Sequence, residues 1–484
     1  MDMENESSKK STSIIKSSLI LLASLFLAFC IFTGIRAYQF KNYTQASPLS
    51  STEKTALQNL LRAEYPGQYE ILKALPYTFS ATEPDIWAQS AILIDTANGN
   101  ILYEKNADQI IPPASMTKLF AMYVVEEEVA AGRLSYDQQI SLPPECWACN
   151  MPPHSSLMFL GEGQSVTLEE LLLGLSICSG NDAAYALAYA VCGNMDDFVA
   201  RMNQIADDLG LKNTHFVESS GYSEKNTTTA REMACFCRIY IQNHPDSLAR
   251  FHSVQSFTYP KEKNLAPGDI LQAQDFSQGL PRHITMPITQ QNTNPLLGKL
   301  DGADGLKTGY IDESGYNLSL TASRFGTRFL SVTMAGPGSN SREGQAGRVH
   351  DGTELMEWAF RNFRDFSIED FLGPYFMQTF GASQMGINLI PAYDDDVLTV
   401  PYISGDSVDD NLANIQVSVE IYDDRWGEIQ VGQKCGRIRF SLQGYLLEEI
   451  PLIADRSLEK GNLLVRLSDK VIMGGVTTGV TKGS

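Results

Sequence analysis

Ser115 and Lys118 stand three positions apart in the stretch SMTKLFAMYVV. On a helix, positions i and i+3 share a face, so the lysine amine can approach the serine hydroxyl. Lys118 is also the only charge in that apolar run. Burial there disfavours the ammonium form and lowers its pKa, which makes a neutral amine available to take the serine proton. The chemistry on offer is attack by an activated serine, through a covalent intermediate. The spacing alone is weak, because Ser7/Lys10, Ser13/Lys16, Ser51/Lys54 and Ser457/Lys460 share it. A lysine snorkelling from the end of a core helix would look the same. Two more triplets follow in order, Ser179-Gly180-Asn181 and Lys307-Thr308-Gly309. The first reads equally as a helix-breaking turn and the second as a strand end, so their order and the elements they fall on give them weight.

Competing chemistries have less support. The six histidines, His154, His215, His244, His252, His283 and His350, are scattered, with no HExxH and no GxSxG, which disfavours a zinc peptidase and an α/β-hydrolase. Cys146-Trp147-Ala148-Cys149 has CxxC spacing but no second pair, so it reads as a loop disulfide or two semi-buried thiols. Cys30 lies in an apolar N-terminal segment, and the seven remaining cysteines cannot all pair. No metal and no organic cofactor is expected. The net charge of −20 sets a field that repels polyphosphates, so nucleic acid is not an expected partner.

The elements that must hold these residues follow from pattern. A chain of 484 residues, 43% apolar and 19% charged, has room for two or three globular domains. Ala88 to Tyr103 reads as a hairpin turning at Asn98-Gly99-Asn100. Pro112-Pro113 lead into a helix from Ala114 to Ala131, closed by Gly132, with Glu126, Glu127 and Glu128 expected to mark its exit to solvent. A second helix starts at Thr167, with Glu169 and Glu170 in its first turn, breaks at Ser179-Gly180-Asn181 and resumes over Asp182 to Ala190. Tyr316 to Ser323 and Arg328 to Ala335 read as strands joined at Phe325-Gly326-Thr327, with Lys307 to Tyr310 on a neighbouring strand. Early strands, then helices, then late strands make an α+β domain over 86–365. Past residue 380 strict alternation, as in Ile415, Val417, Val419 and Ile421, predicts a small β domain over 380–475. Its last residues, Gly474, Gly475, Thr477, Thr478 and Gly479, look frayed.

Before the α+β domain, Ser17 to Ile35 carries no charge, with Lys9, Lys10 and Lys16 ahead of it. The positive-inside rule leaves that tail in the cytoplasm and everything after Arg36 outside. Residues 1–37 therefore form a tail and a signal or anchor segment, expected to be retained, with secretion as the outcome if it is cleaved. Phe29 ahead of Cys30 argues against lipidation. Residues 38–85, polar and punctuated by Pro48, Pro66, Pro76 and Pro84, read as a stalk.

Over about residues 88 to 365 the chain resembles the low-molecular-mass penicillin-binding proteins, the serine D-Ala-D-Ala carboxypeptidases of peptidase family S11. Three stretches carry the likeness: IPPASMTKL from Ile111, SLMFL from Ser156 with GLSICSGNDA from Gly174, and DGLKTGY from Asp304. The resemblance implies a β-lactamase/DD-peptidase-like antiparallel sheet flanked by helices. It implies Ser115 as the nucleophile on the carbonyl between two D-alanines, Lys118 as its base and Ser179 as the proton relay to the leaving D-alanine. Asn181 would hold the substrate amide, and Lys307, Thr308 and Arg342 its terminal carboxylate, while Gly309 lets the strand come close. The oxyanion would be held by the backbone N–H groups of Ser115 and Tyr310. Stem peptides of peptidoglycan are the implied substrate and β-lactams the implied covalent inhibitors.

Two departures stand out. Members of the family commonly end in a basic amphipathic helix that lies on the membrane, and residues 461–484 show no such helix, which shifts anchoring to the N-terminus. Pro143 to Pro153, with its CxxC, looks like an insertion near the site. The alternatives are a D,D-endopeptidase, a β-lactamase of the same fold, and a non-catalytic scaffold that binds wall peptides. No Glu-x-x-Leu-Asn element lies between Asn181 and Lys307 to serve β-lactam hydrolysis.

Overall fold

The computed structural model describes residues 2–423 and 425–475, with side chains from Thr12 to Gly474. Thr477, Thr478 and Gly479 lie outside the described residues. The chain forms two compact units, one of residues 71–366 and 399–413, the other of the chain up to Glu70, 367–398 and the chain from Asn414 onward. Helix α1 (Asp2–Asn42) is long and apolar enough over Thr12–Asn42 to cross a membrane. Helix α2 (Ser51–Glu64) opens with a capping box in which Ser50 and Glu53 satisfy each other's backbone N–H groups.

The larger unit is built on a six-stranded sheet of β1 (Lys73–Ala74), β2 (Ser90–Asp95), β3 (Asn100–Lys105), β4 (Ala303–Ile311), β5 (Gly315–Arg324) and β6 (Thr327–Gly336), in the order β1-β3-β2-β6-β5-β4. All pairings but β1 with β3 are antiparallel. The first hairpin and the last three strands thus meet at β2 and β6, as the order of elements in the sequence predicts. Every residue of β2 is buried, because both faces of the sheet are covered. On one face Ile92, Ile94, Val332 and Leu306 join the core of α3 (Thr117–Ala130), α4 (Leu168–Ile177), α5 (Asn181–Cys192), α6 (Met195–Asp208) and α7 (Ala230–Asn243). On the other, Leu93, Leu318 and Phe329 pack with Leu355, Met356 and Phe360 of α8 (Ser341–Asn362). A short helix α9 (Val408–Leu412) completes the unit.

One expectation for α3 is corrected. Glu126 and Glu128 are buried rather than leaving for solvent. Ser247 Oγ donates to both Glu126 oxygens, and Glu128 accepts from Arg133 and Arg201. Charge alone hid these partners: Arg133 lies just past the end of the helix, while Ser247 and Arg201 arrive from distant parts of the chain.

The second unit carries a five-stranded antiparallel sheet of β7 (Tyr375–Gln378), β8 (Gly386–Pro391), β9 (Ile415–Ile421), β10 (Lys434–Leu442) and β11 (Tyr445–Ala454), in the order β7-β8-β11-β10-β9. The alternation of β10 puts Ile438, Phe440 and Leu442 in the core. The segment read as a stalk is folded up to Glu70 into this unit, with Leu57 and Leu61 packed against Ala392 and Ile453. From Ile71 on it belongs to the larger unit, where β1 joins the sheet. The C-terminus also needs correction, because Leu463–Gly475 is helix α10. Asn462 starts it by accepting from the Val465 N–H, and its two closing glycines disguise it as a frayed end. Leu463, Leu464, Leu467, Val471 and Met473 are exposed along it.

Candidate active site

Ala114–Met116 makes a single 3-10 turn that runs directly into α3. Ser115 and Lys118 therefore face the same way. Ala114 has φ +49°, a left-handed conformation uncommon for a residue with a Cβ. Such conformations persist only where surrounding packing enforces them. Lys118 is fully buried. Its Nζ lies 3.0 Å from Ser115 Oγ, 2.8 Å from Asn181 Oδ1 and 2.5 Å from the Ser220 carbonyl oxygen. Burial pulls its pKa down to about 7, with the Glu218 and Asp182 carboxylates opposing the fall. A neutral amine has two N–H donors and one lone pair. The amide oxygen of Asn181 and the carbonyl of Ser220 can only accept, so they take the two N–H groups. The lone pair is then left for the Ser115 hydroxyl proton.

The second element sits between α4 and α5. A capping box of Thr167 and Glu170 starts α4, and the chain breaks at Ser179, where φ is +57°. Asn181 begins α5, so its side chain reaches Lys118 through Oδ1 and donates through Nδ2 to Ser155 Oγ at 3.0 Å. Asp182 is buried and accepts from the N–H groups of Met158, Phe159 and Leu160 at 2.8, 2.8 and 3.0 Å, which ties the Ser156–Leu160 stretch to the turn. Cys178 abuts Ser179, but burial pushes its thiol up to about 12, so it stays protonated and is a poor nucleophile.

The third element lies on β4 in register with β5: Lys307 pairs Ser319, Thr308 pairs Leu318 and Gly309 pairs Asn317. Lys307 is buried and donates to the Thr308 carbonyl at 3.0 Å, while Thr308 Oγ1 donates to Thr293 Oγ1 at 2.8 Å. Burial, then the positive charges of Lys118 and Arg348, hold the Lys307 amine well below its ordinary range. A Cβ on Gly309 would sit 3.2 Å from the Ser115 nitrogen and 2.5 Å from the Pro113 carbonyl oxygen, so this strand passes Ser115 with room only for glycine. Tyr310, next along, is exposed. Arg342 is exposed in the first turn of α8. Arg348 on the same helix is buried and donates to the carbonyls of Asn317 and Gly309 at 3.0 and 2.5 Å. The second and third elements thus meet the Ser115–Lys118 turn, through Asn181 on the Lys118 amine and Gly309 beside the Ser115 nitrogen, and Arg348 rather than Arg342 touches the backbone of the third.

A family model for D-alanyl-D-alanine carboxypeptidase, peptidase S11, matches residues 77–338. The chain belongs to this family. The D-alanyl-D-alanine carboxypeptidase DacA of Escherichia coli K12 is 30% identical over 402 residues, 80% of this chain and 88% of that one. DacC of the same strain is 29% identical over 87% of this chain and 97% of its own. Among solved structures, penicillin binding protein 5 of Haemophilus influenzae superposes with a TM-score of 0.64 at 28% identity, covering 79% of this chain and 100% of that one. This is a serine-type D-Ala-D-Ala carboxypeptidase, a hydrolase of cell-wall chemistry, and its α+β fold is that of the DD-peptidases.

Several residues around the site of this S11 carboxypeptidase escaped sequence reasoning. The loop Val217–Asn226 supplies the Ser220 carbonyl, and Glu218 within it accepts from the N–H groups of Ser220 and Gly221. Its one signal is Gly221, with φ +78°, where any Cβ would overlap the Ala114 carbonyl. His252 is buried against β4, bonded to Tyr240 Oη at 2.8 Å and kept neutral, its pKa pulled down to about 4 by burial. Nothing local to that histidine marks it. Cys146 and Cys149 form no disulfide, and none of the eight cysteines is in one.

Proposed function

We propose that this carboxypeptidase removes the terminal D-alanine of peptidoglycan stem peptides through an acyl-ester on Ser115. The Ser115 hydroxyl attacks the carbonyl of the penultimate D-alanine while Lys118 Nζ takes its proton. The N–H groups of Ser115 and Tyr310 hold the oxyanion, an interaction that strengthens as charge develops. Ser179 passes a proton to the departing amine, and water then releases the peptide from Ser115. Asn181 contributes by fixing the Lys118 amine and holding the substrate amide. Lys307, Thr308 and Arg342 receive the terminal carboxylate, where a cation and a hydroxyl offset a negative charge. The same geometry accepts a β-lactam as a carbonyl mimic of the terminal dipeptide. The observation that carries this reading is the fully buried Lys118 amine, 3.0 Å from Ser115 Oγ, with both its N–H groups committed to carbonyl acceptors.

The test is release of free D-alanine from a synthetic pentapeptide, together with labelling by a fluorescent penicillin. Wild-type protein gives both, and Ser115→Ala gives neither while keeping its melting temperature. Undiminished labelling of Ser115→Ala would remove the nucleophile from the scheme.

We also read the enzyme as held on the outer face of the membrane by α1. Support comes from the residues beyond the apolar stretch. Arg36 pairs with Asp469 of α10, Phe40 stacks on Phe380 at 4.8 Å, and Gln378 donates to the Phe40 carbonyl. Cleavage after Arg36 would leave the buried Asp469 without its cation, an uncompensated charge that the fold would have to carry.

A further inference from the structure

We propose that Glu218 is a positioning residue for the Ser115–Lys118 pair: its carboxylate holds the following turn so that the Ser220 carbonyl meets the Lys118 amine, and it supplies a negative charge facing that amine. The inference rests on the acyl-transfer reading above and adds a residue that none of the three sequence elements contains.

The geometry is specific. Glu218 Oε2 accepts from the Ser220 N–H at 2.7 Å and from Ser220 Oγ at 2.5 Å. Oε1 accepts from the Gly221 N–H at 2.7 Å and from Asn226 Nδ2 at 2.9 Å. One carboxylate therefore takes up two successive backbone donors, which no neutral side chain of its size can do with both its terminal atoms. Asn226 extends the tie, because its Nδ2 also reaches Thr117 Oγ1 at 3.2 Å, beside Lys118 in sequence. Gly221 in turn lies against the Ala114 carbonyl, next to the nucleophile. The loop is thus clamped to both ends of the Ser115–Lys118 turn, and Glu218 is its hub. The consequence is stereochemical. If the Ser220 carbonyl shifts, one N–H of the amine loses its acceptor, and the lone pair is no longer confined to the direction of Ser115.

The charge has a separate effect. The ionisable groups facing Lys118 are Glu218 from the loop, Asp182 from α5 and Lys307 from β4. Glu218 itself faces Lys118 and the Tyr185 phenol of α5. Its anion favours the ammonium form, so removing it lowers the pH at which the amine becomes neutral. A group that only braced the loop would change the rate without moving that pH.

The experiment is the pH profile of the second-order rate of penicillin acylation, run on the full chain in detergent for wild type, Glu218→Gln and Glu218→Asp. In Glu218→Gln the amide NH₂ meets backbone donors. The plateau rate should fall at least tenfold, and the acid limb should shift to lower pH by half a unit or more. Glu218→Asp keeps the charge, so its limb should stay at the wild-type pH even if its plateau drops. A limb unmoved in Glu218→Gln, or moved equally in both variants, overturns the proposal, and should the glutamine variant not fold, a moved limb in Glu218→Asp does so alone. Absence of any adduct on wild-type protein would instead overturn the acyl-transfer reading.

Discussion

Lys118 and Arg36 are both basic side chains withdrawn from water, and the chain treats them in opposite ways. Arg36 makes a two-pronged contact with Asp469, at 2.5 and 2.9 Å, and Asp469 also accepts from the Gly381 N–H at 2.7 Å. A guanidinium cannot give up its proton at any pH a protein meets, so its burial demands an anion. Lys118 has three uncharged partners, Ser115, Asn181 and Ser220. Desolvation without a bonded carboxylate pushes it toward the neutral amine. A buried cation kept charged by pairing fastens structure together, whereas one surrounded by neutral acceptors is prepared to move a proton.

Exchanging the two treatments is the sharpest way to break this contrast. Lys118→Arg places a permanent cation on α3 and removes the proposed base, so acylation by a labelled penicillin should fall by about 10² to 10⁴. A variant retaining a tenth of the wild-type rate would place the base elsewhere. In the wild type, protonation of an amine with pKa about 7 removes the base, so the acylation rate should decline as pH falls below about 7. The paired cation should fail in stability instead. Asp469→Ala leaves Arg36 buried without its anion, at a cost of roughly 3–5 kcal/mol to the unit that holds them. The combined change Arg36→Met with Asp469→Leu should recover most of it. Thermal unfolding in detergent reads both, and a double variant no more stable than Asp469→Ala would mean that the pair is not what the site requires. D-alanine release by molecules still folded should be unchanged in either.

How much of this was open to sequence reasoning follows from how far apart the partners lie. Ser115 and Lys118 sit one helical turn apart, so their approach to each other was readable locally, and the strands of the main sheet declared themselves through periodicity. The Ser220 carbonyl was not readable, because a backbone atom has no residue type to betray it. Glu218 looked like any polar loop residue, although it binds its own loop. Arg348 and Arg342 could not be separated by spacing, since only the packing of α8 on β5 turns one of them inward. Asp469 and Arg36 lie at opposite ends of the chain, and a helix closing on two glycines concealed the meeting point. The supposed stalk failed for the same reason: Leu57 and Leu61 carry a helical stripe whose partners, Ala392 and Ile453, come hundreds of residues later.

Glu126, two turns beyond Lys118 on the same helix, extends the contrast to an anion. It too is buried without a bonded counter-charge, and desolvation raises its pKa to about 7 against the Ser247 and Tyr240 hydroxyls and the Arg250 charge. The folded chain therefore holds this proton up to about pH 7, while the unfolded chain releases it near 4.5. Stability from that difference is fully present below pH 4.5 and is lost as pH rises through 7, with a ceiling of about 3 kcal/mol. Glu126→Gln never ionises and keeps an acceptor for Ser247. Its melting temperature should approach that of the wild type at pH 5 and exceed it at pH 8. A difference that stays constant across that range would mean that Glu126 ionises normally, and that burial on α3 is not by itself enough to neutralise a side chain. Lys118 would then owe its lowered pKa to its immediate partners rather than to the helix that carries it.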